Sequence, residues 1–325
     1  TRHNINAQLP WQPSIEGSPW HYRRKARIGV QYNKAGQATI GFRQRATNQL
    51  TAIKHCPVLV APLKDIFIQL KAVIQQLTVH SAIGHVEVIV TEQITLIIRQ
   101  LKTLNKTDKQ LWQDASKKNN WQVVIDNGDN LKPLFEMSEL QYSLPSHVEI
   151  KFEPKDFIQV NHDVNVKMIE QAMQWLVLKA TDKILDLFCG LGNFTLPLAQ
   201  KVHSVVGVEG LQVMVDKAKD NALSNKIDNC SFYQADLNDD WLSAPWNKID
   251  FDKVLLDPAR AGAYQALEQL LKLSIPSILY ISCDPSSLAR DSELILKQGY
   301  KMEKISIMEM FPQTKHIETM VLFSR

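Results

Sequence analysis

Long hydrophobic runs are absent from this sequence. No stretch approaches the roughly 18 consecutive apolar residues that a membrane-spanning helix needs, and the start shows no secretory signal pattern. We therefore expect a cytoplasmic protein without a membrane partner. Because the first residue is Thr1 rather than methionine, we also expect the chain to begin inside a longer protein.

Cysteine is scarce as well. The four cysteines lie far apart in the sequence and form no Cys-x-x-Cys pair. This spacing argues against a disulfide framework and favours a reducing compartment. Each cysteine must therefore be interpreted separately: Cys56, Cys189, Cys230 and Cys283.

Acidic residues are missing from one long segment. Between Gly17 and Lys64 the sequence has nine Lys or Arg residues and no Asp or Glu. A solvated basic face would explain this, but aromatic residues lie among the basic ones, which favours a phosphate-binding surface. The basic residues are Arg23, Arg24, Lys25, Arg27, Lys34, Arg43, Arg45, Lys54 and Lys64, and the aromatic ones are Trp20, Tyr22, Tyr32 and Phe42.

The 325 residues are enough for two domains. Residues 1–19 contain three prolines and no periodicity, which indicates a linker or arm. Residues 20–147 predict a small α+β domain that is antiparallel and locally connected. Its predicted elements are a hairpin within 22–55, a helix over 62–77, strands over 86–90 and 95–99, a helix over 107–119 and a strand over 122–125.

Residues 148–325 have a different pattern. A helix is predicted from Asn161 to about Leu178, and strands then alternate with helices. This alternation predicts an α/β domain with a mostly parallel sheet and helices on both faces. The strands are predicted at 183–187, 204–208, 230–234, 253–256, 278–282, 301–308 and 317–324.

The α/β domain is organised around residues 184–196. An apolar strand leads into Gly190 and Gly192, where the backbone can turn sharply and approach a ligand closely, and a helix follows. A polar residue lies at or just after the end of each of the first five strands. Polar loops and helix N-caps would explain any one of these, but the complete set predicts a converging ligand edge: Asp186, Glu209, Asp236, Asp257 and Cys283.

The carboxylate of Asp186 distinguishes two classes of ligand. It would repel a pyrophosphate on the glycine turn, which argues against an NAD enzyme. It suits a ligand with a cationic head, such as S-adenosylmethionine. Glu209 lies 19 residues after Gly190 and can accept hydrogen bonds from both ribose hydroxyls. Asp236 would then face the adenine amino group, and Phe188 would pack against the cofactor.

Cys283 adds a nucleophile to this edge. A lone cysteine is commonly an inert core residue, but a thiol between a strand end and a helix start can have a lowered pKa and react. A methyl donor beside a thiolate suits carbon 5 of uracil, which is activated when the thiolate adds to carbon 6. A base must then remove the carbon-5 proton, and Glu318 is our candidate. The alternative for Glu318 is a surface strand residue.

At this point four motifs resemble the RNA uracil-C5 methyltransferases, most closely the bacterial 23S ribosomal RNA subfamily that carries an iron–sulfur cluster. The resemblance covers nearly the whole chain and implies a class I S-adenosylmethionine methyltransferase, with a Rossmann-like seven-stranded sheet preceded by a smaller RNA-binding central domain. Amino-methyltransferases carry a different motif after the fourth strand. The motifs are Asp-Leu-Phe-Cys-Gly-Leu-Gly-Asn-Phe-Thr (186–195), Leu-Leu-Asp-Pro-Ala-Arg-Ala-Gly (255–262), Ser-Cys-Asp-Pro-Ser-Ser-Leu-Ala-Arg-Asp (282–291) and Met-Phe-Pro-Gln-Thr-Lys-His-Ile-Glu (310–318).

The resemblance also implies individual roles. Cys283 would be the nucleophile and Glu318 the base, and Asp257 would also hold the uracil. The family often has Asn at the positions of Asp236 and Asp284, so this chain departs from the pattern there. The implied cofactor contacts are Gln159, Phe188, Asn193, Glu209, Asp236 and Asp257.

Cys56 resembles the last of four cysteines that hold a 4Fe–4S cluster in that subfamily. The other three ligands, and a small RNA-binding TRAM domain, would precede Thr1. The chain alone offers one such thiolate where a cluster takes four. Cys189 and Cys230 match no family site and are interpreted as packing residues.

Three alternatives remain open on the sequence alone. The same chemistry could act on the uracil of the tRNA T-loop rather than on 23S rRNA. The fold could instead serve as a non-catalytic RNA-binding module, or an NAD enzyme could use the glycine turn. In the preferred interpretation we expect a monomer that needs no obligate protein partner.

Overall fold

The computed structural model describes residues 8–325, which divide into two compact units. The smaller unit comprises Ser18–Leu140 and Glu153–His162. The larger one comprises the described residues up to Gly17, with Gln141–Phe152 and Asp163–Arg325. The predicted domain boundary at 147 and 148 falls inside Gln141–Phe152, within the larger unit. The first seven residues of the predicted arm lie outside the described part of the chain.

The smaller unit is a seven-stranded sheet with two helices. Its elements are β1 (Lys25–Tyr32), β2 (Ala38–Arg43), β3 (Leu50–Ala52), α1 (Ile66–Ile74), β4 (Ile83–Val90), β5 (Ile94–Gln100), α2 (Lys106–Asn119), β6 (Trp121–Asp126) and β7 (Leu131–Pro133), with a 3-10 turn at Ala61–Leu63. The order in the sheet is β3-β2-β1-β4-β5-β6-β7. The predicted hairpin is confirmed, since β1 and β2 pair antiparallel.

The prediction of a wholly antiparallel first domain is wrong for one pair of strands. β5 and β6 run parallel. The reason is the connection between them. α2 follows β5 and carries the chain back to the end of the sheet at which β5 began, so β6 runs in the same direction. Asn105 begins α2 as its N-cap by accepting the backbone N–H of Asp108 at 2.9 Å.

Two residues of the predicted basic surface point inward within the smaller unit. Arg24 is 6% exposed, and its Nε donates to the carbonyl of Gln159 at 3.0 Å. The ammonium of Lys25 donates to the carbonyls of Pro154 and Asp156 at 3.0 and 2.8 Å. Burial lowers the pKa of Lys25. The side chains of Arg24 and Lys25 therefore hold segment 153–160 by hydrogen bonds. The prediction that these two residues belong to a solvent-facing phosphate-binding surface is wrong.

The larger unit contains the predicted α/β sheet. Its elements are β8 (Leu140–Leu144), β9 (Val148–Phe152), α3 (His162–Leu176), β10 (Lys183–Leu187), α4 (Thr195–Ala199), β11 (Ser204–Glu209), α5 (Gln212–Ser224), β12 (Cys230–Gln234), β13 (Lys253–Leu256), α6 (Tyr264–Leu270), β14 (Ser277–Ser282), α7 (Pro285–Lys297), β15 (Lys301–Met308) and β16 (Glu318–Ser324). Short 3-10 turns lie at Pro145–His147, Pro245–Lys248 and Leu271–Leu273.

The strand order in this sheet is β12-β11-β10-β13-β14-β16-β15. β10 to β14 pair parallel, whereas β16 is antiparallel to both of its neighbours. The central strands are buried on both faces, as their continuous apolar sequences require. The predicted seven-stranded Rossmann-like sheet is confirmed. Because five parallel strands end at one edge, the residues that follow them converge there.

A short segment near the start of the chain lies along the outer strand of this sheet. Trp11 and Ile15 form parallel bridges with Ile305 and Met308 of β15. The hydroxyl of Ser306 donates to the carbonyl of Pro13 at 2.7 Å. The segment therefore covers backbone groups of an edge strand that would otherwise face solvent. Within residues 8–325, no helix is both long and apolar enough to cross a membrane.

Candidate active site

Asp186 lies in β10 at the centre of the converging edge. It is 1% exposed, and its Oδ2 accepts the hydroxyl of Thr195 at 2.5 Å. Its other oxygen, Oδ1, is buried and has no hydrogen-bond partner among the described residues. Burial raises the pKa of Asp186 to about 7, with a smaller contribution from the charge of Glu209 that is opposed by Thr195. A cation placed beside Oδ1 would relieve this cost.

The glycine turn after β10 leaves open space beside Gly190. Gly190 has a φ of +53°, and a Cβ at this position would meet no atom within 4 Å. Phe188 also has a positive φ, of 65°, which a bulky residue rarely adopts. Its backbone N–H donates to the carbonyl of Val208 at 2.9 Å, which holds the start of the turn on β11.

Asn221 of α5 supports the other side of the turn. It is 1% exposed, and its Nδ2 donates to the carbonyls of Lys151 and Leu191 at 3.1 and 3.3 Å. Its Oδ1 accepts the N–H of Lys151 at 2.9 Å. One buried amide thus joins β9, α5 and the glycine turn.

Glu209 ends β11 with its carboxylate held by backbone donors. Oε2 accepts the N–H of Gly190 at 3.2 Å, and Oε1 accepts those of Gly210 and Leu211 at 2.9 and 3.3 Å. Glu209 therefore lies against the glycine turn, at the predicted ligand edge. These bonds fix the carboxylate at the mouth of the turn while lone pairs remain for a ligand hydroxyl.

Asn193 is partly buried and forms an amide pair with the buried Asn165. Its Oδ1 accepts the amide of Asn165 at 3.0 Å and the hydroxyl of Tyr142 at 3.3 Å, and its Nδ2 donates to Asn165 at 3.0 Å. Most of its hydrogen-bonding capacity is used inside the protein. A ligand contact of Asn193 would therefore use its remaining N–H or its backbone.

Asp236 lies in the loop after β12 and is exposed. Its Oδ1 accepts the backbone N–H and the side-chain amide of Asn238, both at 2.9 Å. Near this loop, Gln234 donates from Nε2 to the carbonyl of Gly210 at 3.0 Å. The loops after β11 and β12 are therefore neighbours, so Glu209 at the end of β11 and Asp236 in the second loop lie at the same edge.

Three further predicted site residues lie on the side of β10 away from β11, and they are Asp257, Cys283 and Glu318. Glu318, the first residue of β16, is only 6% exposed, so the alternative of a surface strand residue is wrong. Burial raises its pKa to about 7, with opposition from Arg260. Burial also raises the pKa of Asp257 well above its ordinary value, and the charges of Glu318 and Asp186 add to the effect. These shifts indicate crowded carboxyl groups in a poorly solvated place.

Cys283 lies directly after β14, beside those carboxyl groups. Burial, Glu318 and Asp257 raise the pKa of its thiol, while Arg260 lowers it. The expectation of a lowered pKa for the Cys283 thiol is therefore wrong. The helix start does not compensate, because Asp284 caps α7 by accepting the N–H groups of Ser286 and Ser287 at 2.9 and 3.0 Å.

Arg260 lies among the candidate site residues, although the sequence assigned it no role. It supplies the positive charge that acts on both Cys283 and Glu318. Its Nη2 lies 2.9 Å from Nδ1 of His316, in the loop before β16. A signal for these two residues was present in the sequence, because both lie inside the quoted motifs. Arg260 comes three residues after Asp257, and His316 comes two residues before Glu318.

Gln159 and Cys56 belong to the smaller unit, unlike the other predicted site residues. Gln159 is 9% exposed, and its carbonyl accepts the Arg24 guanidinium. Cys56 is a partly buried free cysteine. Among the described residues, no three His, Cys, Asp or Glu side chains are grouped as metal ligands.

The geometry divides the edge into two parts with different chemistry. Asp186, Glu209 and the glycine turn offer buried negative charge and open space, which suits a cationic ligand with vicinal hydroxyls. Cys283, Glu318 and Arg260 combine a thiol, a carboxyl group of near-neutral pKa and a cation. Such a set supports nucleophilic addition followed by proton removal.

Comparison with known sequences identifies related proteins that match this chain over almost its whole length. The model of the family described as tRNA (uracil-5-)-methyltransferase matches residues 11–325. A 23S rRNA (uracil(1939)-C(5))-methyltransferase RlmD of Colwellia psychrerythraea is 56% identical over 98% of this chain and 72% of its own length. The protein of the same name from Shewanella sediminis is 44% identical over 96% of this chain and 71% of its own length.

Comparison with solved structures supports the fold. The tRNA (uracil-54, C5)-methyltransferase of Pyrococcus abyssi, solved in complex with S-adenosyl-L-homocysteine, superimposes with a TM-score of 0.76. The match covers 97% of this chain and 79% of the other, at 20% identity. At that identity the likeness concerns the fold.

The opposing charges around Cys283 predict its reactivity towards iodoacetamide. Arg260→Met should raise the thiol pKa and slow alkylation at pH 8, whereas Glu318→Gln should lower it and speed alkylation, each by about threefold to tenfold. Mass spectrometry of the Cys283 peptide over time measures the rate. The control is Glu268→Gln, an exposed residue of α6. Equal rates in all four proteins would contradict the charge arrangement.

Proposed function

Because the chain belongs to the tRNA (uracil-5-)-methyltransferase family, we propose that it transfers a methyl group from S-adenosylmethionine to carbon 5 of a uracil in 23S rRNA. The observation that carries this proposal is the meeting of Cys283 and the buried Glu318 at the sheet edge that also holds Asp186. The names of the two relatives support 23S rRNA as the substrate.

The residues present fit S-adenosylmethionine. The buried Oδ1 of Asp186 has no partner within the described chain, and the space beside Gly190 is open. In the proposed arrangement Asp186 faces the cationic end of the cofactor and Glu209 accepts the ribose hydroxyls. The remaining proposed contacts are Gln159, Phe188, Asn193, Asp236 and Asp257. Bound there, the cofactor supplies an electrophilic methyl group.

Cys283 opens the reaction by adding its thiolate sulfur to carbon 6 of the uracil. A sulfur–carbon bond forms, and the electrons of the 5,6 double bond move to an enolate that reacts at carbon 5. Arg260 stabilises the thiolate before the addition. Burial raises the pKa of Asp257 well above its ordinary value, and in its protonated form Asp257 can donate a hydrogen bond to a uracil carbonyl as negative charge develops there.

Glu318 completes the reaction as the base. After carbon 5 has accepted the methyl group, the carboxylate removes the proton that remains on that carbon. The electrons of the broken carbon–hydrogen bond restore the 5,6 double bond, and the Cys283 thiolate leaves. A pKa of about 7 suits this task, because a base works best when its pKa lies near the working pH.

The basic segment of the smaller unit is the proposed RNA contact. Arg24 and Lys25 are excluded by their inward bonds, and Arg23 is partly buried. The remaining cations are exposed and carry the proposal: Arg27, Lys34, Arg43, Arg45, Lys54 and Lys64. Contacts of this kind bind phosphates, so RNA affinity would fall with added salt. The target uracil would have to leave its base stack to reach Cys283.

A 4Fe–4S cluster does not fit the described residues by themselves. A cluster takes four thiolates, and Cys56 has no grouped metal ligands within residues 8–325. The proposal that Cys56 is one ligand therefore requires three cysteines from outside this chain. Iron analysis of the longer protein tests it, and no step of the reaction depends on it.

Action on ribosomal RNA would place the protein in the cytoplasm, and we expect it to act as a monomer. Methylation of the uracil of the tRNA T-loop is the second candidate, because the matching family model is described as tRNA (uracil-5-)-methyltransferase. A non-catalytic RNA-binding module is the third. The burial of Glu318 and the charged groups around Cys283 argue against that third candidate.

Mapping the methylated nucleotide tests the function. In a strain that lacks the gene, one uracil of 23S rRNA should lose its methyl group, and the wild-type gene should restore it. The Cys283→Ala gene should not restore it, because no thiol can activate carbon 5. The control is Cys230→Ala, which alters a partly buried cysteine of β12. A methyl group lost from tRNA alone would favour the second candidate, and restoration by Cys283→Ala would rule out our nucleophile.

Replacing the base should trap the covalent intermediate. Glu318→Gln can still allow addition and methyl transfer, but it cannot remove the carbon-5 proton. A stable adduct between Cys283 and the methylated RNA should therefore accumulate, visible as a shifted band in a denaturing gel, while turnover is lost. Cys283→Ala should form no adduct, including with RNA that contains 5-fluorouracil. Normal turnover by Glu318→Gln would show that another group is the base.

Cofactor binding should depend on pH through Asp186. The raised pKa means that the carboxyl group is largely protonated below about pH 7, and a cationic ligand must then displace that proton. Affinity for S-adenosylmethionine should fall up to tenfold for each pH unit below 7 and level off above it. Asp186→Asn should bind more weakly and lose this dependence, whereas the exposed Asp163→Asn should keep it. Calorimetry that detects NAD binding instead would contradict the assignment.

A further inference from the structure

Asp291 is a fully buried carboxyl group that the proposed mechanism does not use. It lies in α7, eight positions after Cys283, and is 0% exposed. Its Oδ2 accepts the backbone N–H of Ala263 at 2.7 Å and the hydroxyl of Tyr280 at 2.6 Å. Its Oδ1 accepts Nε of Arg290 at 2.8 Å. A buried carboxyl group with such well-formed bonds joins three segments of the chain.

Arg290 extends this connection to the next carbonyl group. Its Nη2 donates to the carbonyl of Ala261 at 2.8 Å and also contacts Oδ1 of Asp291 at 2.7 Å. Its guanidinium lies 5.3 Å from the ring centroid of Tyr264. The pair of side chains therefore binds the backbone on both sides of Gly262.

Gly262 shows how closely that backbone approaches the pair. Its φ is +78°, and a Cβ there would lie 2.5 Å from Oδ2 of Asp291 and 2.7 Å from Nη2 of Arg290. Both the conformation and the space require glycine. The loop of residues 257–263 is thus fixed at its far end by Asp291 and Arg290, which we call the loop clamp.

The clamped loop carries two groups of the candidate site. It begins with Asp257 after β13 and includes Arg260, whose guanidinium reaches His316 in the loop before β16. Tyr280, the third partner of the clamp, lies in β14 three residues before Cys283. The clamp therefore connects the strand that delivers Cys283, the helix that follows it and the loop that delivers Arg260.

We propose that Asp291, assisted by Arg290, is a positioning residue that holds the 257–263 loop so that Arg260 lies beside Cys283 and Glu318. Without the carboxylate, the N–H of Ala263 and the Arg290 guanidinium lose their common acceptor, and the loop moves away from the thiol. The catalytic consequence rests on the proposed function, whereas the effect on the thiol does not. The groups that face Cys283 are Glu318, Asp257 and Arg260.

The first test uses alkylation of Cys283 by iodoacetamide across a pH series, without RNA or cofactor. Asp291→Asn should move the profile to higher pH and slow alkylation at pH 8 by about threefold to tenfold, as Arg260→Met does. The double variant Asp291→Asn with Arg260→Met should be no slower than Arg260→Met alone, because both changes remove one interaction. The control is Lys297→Gln, an exposed residue at the end of the same helix.

A purely structural role gives a different result. In that case Asp291→Asn would lower the melting temperature and leave the alkylation profile of the folded protein unchanged, which would overturn the proposal. Additive slowing in the double variant would overturn it too, since Asp291 would then act independently of Arg260. If Asp291→Asn does not fold, Arg290→Gln replaces it, because the Arg290 side chain is 41% exposed and its loss spares the core. The same profile shift is expected there, and an unchanged profile contradicts the clamp.

Methyl transfer separates the clamp from the function itself. Asp291→Asn should reduce kcat by roughly 10- to 100-fold, the cost of a small displacement at a reacting centre. KM for S-adenosylmethionine should change much less than kcat, because Asp186 and Glu209 lie in β10 and β11, and Asp257 lies at the β13 end of the loop, opposite the end that the clamp holds. If the wild-type protein methylates no RNA, the proposed function fails while the alkylation result still decides the clamp. A raised KM with unchanged kcat would contradict the positioning role.

Discussion

The burial of carboxyl groups at one edge of the parallel sheet is the constraint on which the site depends. Asp186, Asp257 and Glu318 lie where water solvates them poorly, and each is made harder to ionise by burial. A protein maintains such an arrangement against its cost in stability when a ligand can exploit it. The two halves of the site follow from it, because one carboxyl group can attract a cation and another can act as a base.

Buried polar groups help to hold that edge in shape. Asn221 holds the glycine turn by a hydrogen bond to its backbone. The pair of Asn165 and Asn193 holds the segment before α4, and Asp291 holds the loop that follows β13. Each satisfies backbone groups that the irregular loops leave unpaired. Loops that must carry reacting side chains can therefore be rigid without being part of the sheet.

The sequence predicted the order of elements well and their electrostatics poorly. Continuous apolar strands and the glycine turn identified the sheet and its ligand edge, because strand periodicity and turn chemistry are local properties. The parallel pairing of β5 and β6 was missed, although the helix between them signalled a crossover. The raised pKa of Cys283 and the inward bonds of Arg24 and Lys25 depend on neighbours distant in sequence, which a linear pattern cannot reveal.

The segment that covers β15 also constrains how the protein can be made. Pro13 and its partner Ser306 are separated by 293 positions. During synthesis the segment emerges before the rest of the described chain, and its place on the sheet exists only after β15 has also left the ribosome. The smaller unit, assembled mainly from Ser18–Leu140, can complete its fold long before that moment. The pairing of this segment with β15 therefore forms after the smaller unit can fold, at the loop-closure cost typical of distant pairings.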